Sequence, residues 1–315
     1  MGDRNEQLGL VKLWDRAYAY LQKDEGLGWS NAGMIRGKGG SLLIDTLFDL
    51  SLTQKMLDQI ARKIGKPIRW VVNTHHNGDH CWGNQLVADA EIIGHRLFPQ
   101  EMMKTSPELT ETIKKAPAEV PGVAMLQEAM EPFDFSGIKL TPPTRLFDER
   151  LTLEIDDREV QLIHVGPAHT STDVIVFFPE ERILYAGDII FRLCTPIGWE
   201  GTFDNWIAAL NRIVEFDPRR IVPGHGPLCG TEGAIEMREY LQYVYKEAKE
   251  CFDREMSIAD AAKKIDLGPY AGWTEPERIV FNIARAYREF RGEPHDTPVD
   301  FMEMAGLMAE IKQPQ

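Results

Sequence analysis

Apolar and polar positions alternate in short blocks through most of the chain and settle into a helical period only near its end. Residues 32–36 and 41–45 are two strand-like runs around the turn Gly37-Lys38-Gly39-Gly40, where glycine supplies the positive φ that a hairpin connection needs. Ser51 then stands as the cap of a helix whose apolar residues Met56, Ile60 and Ile64 repeat every four positions up to Gly65. Residues 68–72 form a β-branched run typical of a buried strand, and it delivers the chain into a histidine-rich loop. A second helix and a strand at residues 91–93 follow, so strand, helix and strand alternate in the α/β manner.

Residues from about 98 to 135 interrupt that alternation with Met102, Met103, several prolines and helix-compatible stretches, which marks them as a helical insertion. Strand signals return at residues 151–155, 159–163, 173–178 and 183–186, enough for a second sheet. A helix near residues 206–214 leads to a strand at 220–223 and a Gly/His loop. After Thr231 the period is helical to the end: Met237, Leu241, Val244, Ala248 and Phe252 keep one face apolar. Ser257 with Asp260 and Thr274 with Glu277 match capping boxes, and Gly292 stands at a C-cap. The expected organisation is a main domain over residues 1–230 and a helical C-terminal extension over 231–315. Two or three helices of that tail would pack against the sandwich or against a second subunit of a homo-oligomer.

Composition narrows the partners. At 315 residues with 43% hydrophobic and 27% charged positions, the chain reads as folded and globular. Its net charge of −14 repels phosphate backbones and anionic lipid, which disfavours nucleic-acid and membrane partners and leaves a small-molecule substrate. The first six residues contain no apolar core of signal-peptide length, and Glu6 stands where a myristoylation signal needs Ser or Thr. No apolar run approaches the roughly 20 residues of a membrane helix. The four cysteines, Cys81, Cys194, Cys229 and Cys251, form no CxxC pair. A reducing cytoplasm is the expected location.

The chemistry is concentrated in four loops, each placed directly after a strand signal. They are residues 74–80, with His75, His76, Asn77, Asp79 and His80; residues 166–173, with His169 and Asp173; residues 186–188, ending in Asp188; and residues 223–226, with His225. Neutral imidazole nitrogen and carboxylate oxygen are the ligand set of Zn²⁺ or a similar divalent ion, and loops at strand ends let distant segments converge on one point. A lone histidine is usually a satisfied core or surface residue; four such loops in this order point to a metal site. Other residues carry blander readings. Cys81 is a small buried hydrophobe at a helix start, His164 a hydrogen-bonded strand residue, and His95 and His295 have no partner pattern. Trp82, Trp199 and Trp206 are aromatic pocket or core, and Met102, Met103 and Met125 are an apolar lid or core.

In these loops residues 31–230 resemble the metallo-β-lactamase superfamily, whose pattern is H-x-H-x-D-H, a Gly-His-Thr-like loop, Gly-Asp, then Gly-His. The resemblance implies an αββα sandwich with its site at one edge between the sheets. It implies that His75 and His169 serve a first metal position, that Asp79, His80 and His225 serve a second, and that Asp188 bridges the two. It also sets Asp45 at the end of an early strand, more as a group fixing a loop than as a reacting one.

One departure matters: the first loop reads H-H-N-G-D-H, so Asn77 stands where the family has a second histidine. An amide oxygen is a harder and poorer donor for Zn²⁺ than imidazole, so the first position is weakened or changed. His76, next in sequence, points to the other side of an extended segment. One tight zinc ion is expected, a second is possible, and iron or manganese are alternatives. The function implied is a hydrolase that uses metal-bound hydroxide on a small neutral or apolar substrate, at an ester, lactone, thioester or carbon–halogen bond. Asp79, Asp188 and His169 take the catalytic roles, with Asp188 or His169 free to act as general base. The competing functions are a non-haem iron oxidoreductase on the same fold and a degenerate, non-catalytic binding subunit.

Overall fold

The computed structural model describes residues 8–23, 26–119 and 122–312, so the reading of the first six residues lies outside it. Seven strands form the first sheet, in chain order: β1 (Gly9–Lys12), β2 (Ala17–Leu21), β3 (Ala32–Ile35), β4 (Ser41–Ile44), β5 (Ile68–Val72), β6 (Glu91–His95) and β7 (Arg145–Phe147). Pairing is antiparallel from β1 to β4 and parallel from β4 to β7. The crossovers behind the parallel half are α1 (Leu50–Lys63), the short α2 (Gly78–Cys81), and the insertion, which carries α3 (Phe98–Met102), α4 (Pro107–Lys114) and α5 (Val123–Met130). The second sheet holds β8 (Arg150–Ile155), β9 (Arg158–His164), β10 (Val174–Phe178), β11 (Ile183–Phe191) and β12 (Arg220–His225), antiparallel except for β11 with β12. α6 (Phe203–Glu215) makes that last parallel crossover.

The period-two alternation of apolar residues explains the layers. Leu42, Ile44, Val72, Leu162, Val174 and Val176 point between the sheets into one core. Their neighbours turn outward: Leu43 and Val71 meet Met56 and Ile60 of α1, and Ile163, Ile175 and Leu184 meet the helices of the far layer. The result is the expected αββα sandwich.

Local details differ from the sequence reading. Asp49, not Ser51, caps α1: its Oδ1 accepts the Leu52 N–H at 2.7 Å, a contact worth about 1 kcal/mol. Asp188 lies inside β11 and not in a loop after it, because β11 continues past a register shift at Gly187, whose φ is +50°. Among the described residues the tail has four α-helices: α7 (Thr231–Phe252), α8 (Ile258–Lys264), α9 (Ile279–Phe290) and α10 (Phe301–Lys312). Ser257 does cap α8, accepting the Asp260 N–H at 3.1 Å. The backbone of Thr274 forms a bridge with Cys194, which ties the chain before α9 to the segment after β11. Tyr240, Leu241 and Val244 of α7 and Ile283 of α9 join the core beneath the second sheet. Ala305 of α10 packs instead against Leu126 and Met130 of the insertion.

Candidate metal centre

The strand ends bring the four chemical segments together. The ligand-type atoms of His75, His169 and Asp188 lie within 4.8 Å of one another, and so do those of Asp79, His80 and His225. Asp188 joins the two groups: Oδ2 is 3.3 Å from Nε2 of both His169 and His225 and 3.7 Å from Nε2 of His75, while Oδ1 is 3.1 Å from Nε2 of His80. Asp79 Oδ2 lies 3.3 Å from His225 Nε2 and 3.7 Å from His80 Nε2. Asn77 precedes α2 in an extended conformation, and its Oδ1 is buried without a hydrogen-bond partner.

Three of the four imidazoles are aimed by a contact on the other nitrogen. Asp45, at a positive φ of 62° where β4 ends, accepts from the Thr74 N–H at 2.7 Å and the Thr74 hydroxyl at 2.8 Å. With its proton spent there, the Thr74 oxygen accepts from His75 Nδ1 at 3.0 Å. His80 Nδ1 donates to Asp45 Oδ2 at 3.0 Å and His169 Nδ1 to the Ile197 carbonyl at 2.6 Å. In its neutral form each of the three therefore leaves an Nε2 lone pair facing the centre. Asp173 closes its own loop, accepting from the Thr170 N–H and hydroxyl at 2.9 and 2.7 Å. Two residues that sequence reasoning missed tie the loops to the first sheet. The Ser30 hydroxyl donates to the Asp79 carbonyl at 2.5 Å, and Asn31 Nδ2 donates to the carbonyls of Pro223 and Gly226 at 3.1 and 2.8 Å.

The donor set suits a divalent cation. Nε2 of His75, His80 and His169 and Oδ1 of Asp188 are buried and make no hydrogen bond. Buried polar atoms left unpaired cost on the order of 1–3 kcal/mol each, so four converging lone-pair donors call for a shared acceptor. Mixed imidazole nitrogen and carboxylate oxygen match zinc and related ions. A methyl group on Gly224 would overlap Asp188 Oδ1, so glycine is what lets β12 approach the carboxylate.

Electrostatics divide the groups. Burial pushes His75 well below the ordinary histidine range and takes His169 down to about 4, both neutral donors near pH 7. Burial opposes protonation of His80 and His225 too, yet Asp188 and Asp79 beside them win: His80 is held well above the usual range and His225 is pushed up to about 9. A cation at the Asp79/His80/His225 group must displace those protons. Its apparent affinity is therefore expected to rise by at least about tenfold per pH unit from pH 6 to 8, with protons released on binding. Competition with a coloured chelator across that range checks both the slope and its sign.

The remaining candidates stand apart from the centre. His76 turns away, with Nδ1 2.9 Å from the Thr172 hydroxyl. Cys81 is buried against the carbonyls of His76 and Asn77, its thiol pushed up by burial, and is no nucleophile. Trp82 stacks on Phe48, and Trp206 donates to the Ile189 carbonyl at 3.0 Å, so both are core. His95 does have a partner: it stacks on His164 at 3.8 Å, and His164 Nε2 lies 3.0 Å from the Ser171 carbonyl. Met102 is core and Met103 is exposed. Met125 lines a cavity of about 320 Å³ with Leu126 of the insertion, Trp29, Ile197, Phe281 and Phe301. Trp199 does not line it but packs on Phe281 and Phe301, which do. No described helix is long and apolar enough to cross a membrane.

The family model described as the metallo-beta-lactamase superfamily matches residues 26–225. A linear primary-alkylsulfatase of Pseudomonas sp. is 24% identical over 305 residues, covering 85% of this chain and 57% of that protein. A metallo-beta-lactamase type 2 of Bacteroides fragilis is 22% identical over 255 residues, covering 78% of this chain and 90% of that one. Among solved structures, a stereoselective inverting sec-alkylsulfatase from Pseudomonas sp. superimposes with a TM-score of 0.66 at 17% identity, covering 90% of this chain and 50% of that one. The chain thus spans about half the length of the sulfatases it matches.

Proposed function

Because this chain belongs to the metallo-beta-lactamase superfamily, we propose that it is a metal-dependent hydrolase of a small neutral or apolar molecule. The bond broken is an ester, lactone, thioester or carbon–halogen bond, and sulfate esters join that set because two relatives are alkylsulfatases. The observation that carries the reading is the pair of His/Asp groups joined through Asp188, with buried lone pairs facing one another. In this reading Asp79, His80, His225 and Asp188 hold one tight ion, zinc first among the choices. His75, His169 and Asn77 form a weaker position. A divalent ion held by Asp79, His80, His225 and Asp188 would supply a water with a pKa of about 7 and would polarise the electrophilic atom of the substrate.

The protein's own part is to hold and move protons. Asp188, whose carboxylate the surrounding imidazoles keep ionised against the effect of burial, accepts the proton of the attacking water. His169, neutral with its Nε2 3.3 Å from Asp188, is the second acceptor. Asp79 orients His225 and ligates beside it. The cavity at Met125, Leu126, Trp29 and Phe281, whose lining also carries Glu128, Glu275, Arg278 and Lys312, supports a substrate with an apolar body, since pockets of a few hundred Å³ with a mostly apolar lining bind such groups.

Untreated protein is expected to hold about one tight metal per chain, with turnover of an ester, sulfate ester, lactone and haloarene panel lost on chelation. Two tight ions would overturn the one-metal reading. A fully loaded protein that turns over nothing in the panel would favour a binding subunit, and tight iron with oxygen uptake would favour an oxidoreductase.

The enclosure has its own test. Leu126→Trp fills part of the cavity and is expected to raise KM for long apolar substrates about tenfold while metal content stays unchanged. Lost metal in that variant would show that the insertion supports the centre instead. A cytoplasmic location, and pairing of two chains through the helical tail, belong to the same proposal; light scattering tests the second.

A further inference from the structure

The segment between β11 and α6 carries the contacts that aim His169. The Ile197 carbonyl accepts from His169 Nδ1 at 2.6 Å. In return the His169 carbonyl accepts the N–H groups of Trp199 and Glu200 at 3.2 and 3.1 Å. This segment has no regular secondary structure of its own beyond one bridge at Cys194, so something outside it must keep the Ile197 carbonyl in place.

That support is a polar stripe at the start of and along α9. Arg278, Asn282, Arg285 and Glu289 are spaced by four, three and four residues, which places them on one helix face. The face is turned inward, since Arg278, Asn282 and Arg285 are 2%, 1% and 2% exposed. Buried polar side chains persist where they have partners, and for Arg278, Asn282 and Glu289 the partners are backbone groups of this segment, whereas the Arg285 guanidinium makes no hydrogen bond. Arg278 Nη1 donates to the Thr195 carbonyl at 3.3 Å, and Asn282 Nδ2 donates to the Pro196 carbonyl at 3.0 Å. Glu289 Oε1 accepts the Phe203 N–H at 2.8 Å at the other end. Gly198 lies over Asn282 and Arg285, whose nearest atoms would be 3.6 and 3.8 Å from a methyl added there. Asn282 is itself held, Nδ2 lying 3.1 Å from the Tyr240 hydroxyl of α7.

We propose that the helical tail, which lies beyond the matched residues 26–225, is a working part of the metal centre. In it Asn282 is a positioning residue that sets the tautomer and aim of His169 through Pro196 and Ile197. The proposal rests on the reading of His169 as a metal ligand. Asn282 touches no donor atom of the centre; it acts through one peptide unit.

Two readouts separate this proposal from that reading. The first uses metal-free protein labelled with ¹⁵N-histidine, in which NMR reports the tautomer of His169. Wild type is expected to carry the proton on Nδ1, and Asn282→Leu to show a mixed or exchanging signal while the signals of His75 and His80 stay unchanged. An Nε2-protonated His169 in wild type overturns the proposal without any variant, as does an unaltered His169 signal in folded Asn282→Leu. Asn282→Ser removes the same contact with less bulk and serves if leucine is not accommodated. The second readout is titration with Co²⁺, followed by its absorption. Support for an imidazole ligand from outside the coordination sphere is worth about 10–100-fold in affinity, so binding at the His75/His169/Asp188 group is expected to fall by that factor in either variant. Binding at the Asp79/His80/His225 group should hold. If the tautomer changes and neither Co²⁺ affinity does, the reading of His169 as a ligand is what fails.

Discussion

Replacing His80 or His225 by alanine is expected to strip the protein of its tight metal and of all measurable turnover. The two imidazoles face the same carboxylates: His80 Nε2 lies 3.1 Å from Asp188 Oδ1, and His225 Nε2 lies 3.3 Å from both Asp79 and Asp188. Removing either leaves two carboxylates side by side with one nitrogen donor fewer. Affinity should fall by more than about 100-fold and turnover to below about one-thousandth, since the nucleophile and the electrophile share one ion. Atomic emission on dialysed protein and an activity panel read the two effects separately. His95→Ala is the control. It removes a ring stacked on His164, outside both groups, and should leave metal content and turnover nearly intact. A His80→Ala protein that keeps its metal would overturn the assignment of the second group.

The second large effect concerns Asn77. Asn77→His rebuilds the H-x-H-x-D-H pattern, and the new imidazole should bring a strong nitrogen donor beside His75 and His169, so the variant should take up a second zinc. The sign of the change in rate then separates mechanisms. Where Asp188 or His169 acts as a free base, the added ion engages it as a ligand and turnover slows; where two metals are needed and occupancy limits, turnover at low zinc rises. Asn77 Oδ1 is buried and without a hydrogen-bond partner. Should wild type and variant bind the same number of ions under saturating zinc, either Asn77 already ligates in the native protein or His75 and His169 point elsewhere, and the assignment of the first position falls.

Much of this was legible in the sequence because it depends on local chemistry. Strand alternation survives without knowledge of neighbours, so residues 32–35, 41–44, 68–72 and 174–178 were readable as strands from their apolar pattern alone. The order of the four His/Asp segments, and the substitution at Asn77, are facts of the text. Errors came where two local solutions compete: Asp49 and Ser51 are both good caps, and the backbone path into α1 selects the first. β1 and β7 give little signal because they are short strands at opposite edges of the sheet, and β2 gives none of the alternating kind because it is buried at every position.

What the chain determined by itself is the set of donors, their types and the departure from two full histidine pairs. Only the tertiary structure decided their geometry. Asp188 becomes shared because β11 and β12 pair in parallel beside it and Gly224 carries no side chain to push it away. The tautomers of His75, His80 and His169 depend on Asp45, Thr74 and the Ile197 carbonyl, which lie 35, 1 and 28 residues from the imidazoles they hold. The role of α9 was hidden for the same reason. Asn282 reads as one polar residue in a helix, and its partner, the Pro196 carbonyl, lies 86 residues away. Hydrogen bonds across such distances leave no periodic trace in a sequence, because the chain between them sets neither their distance nor their angle; packing of the layers does.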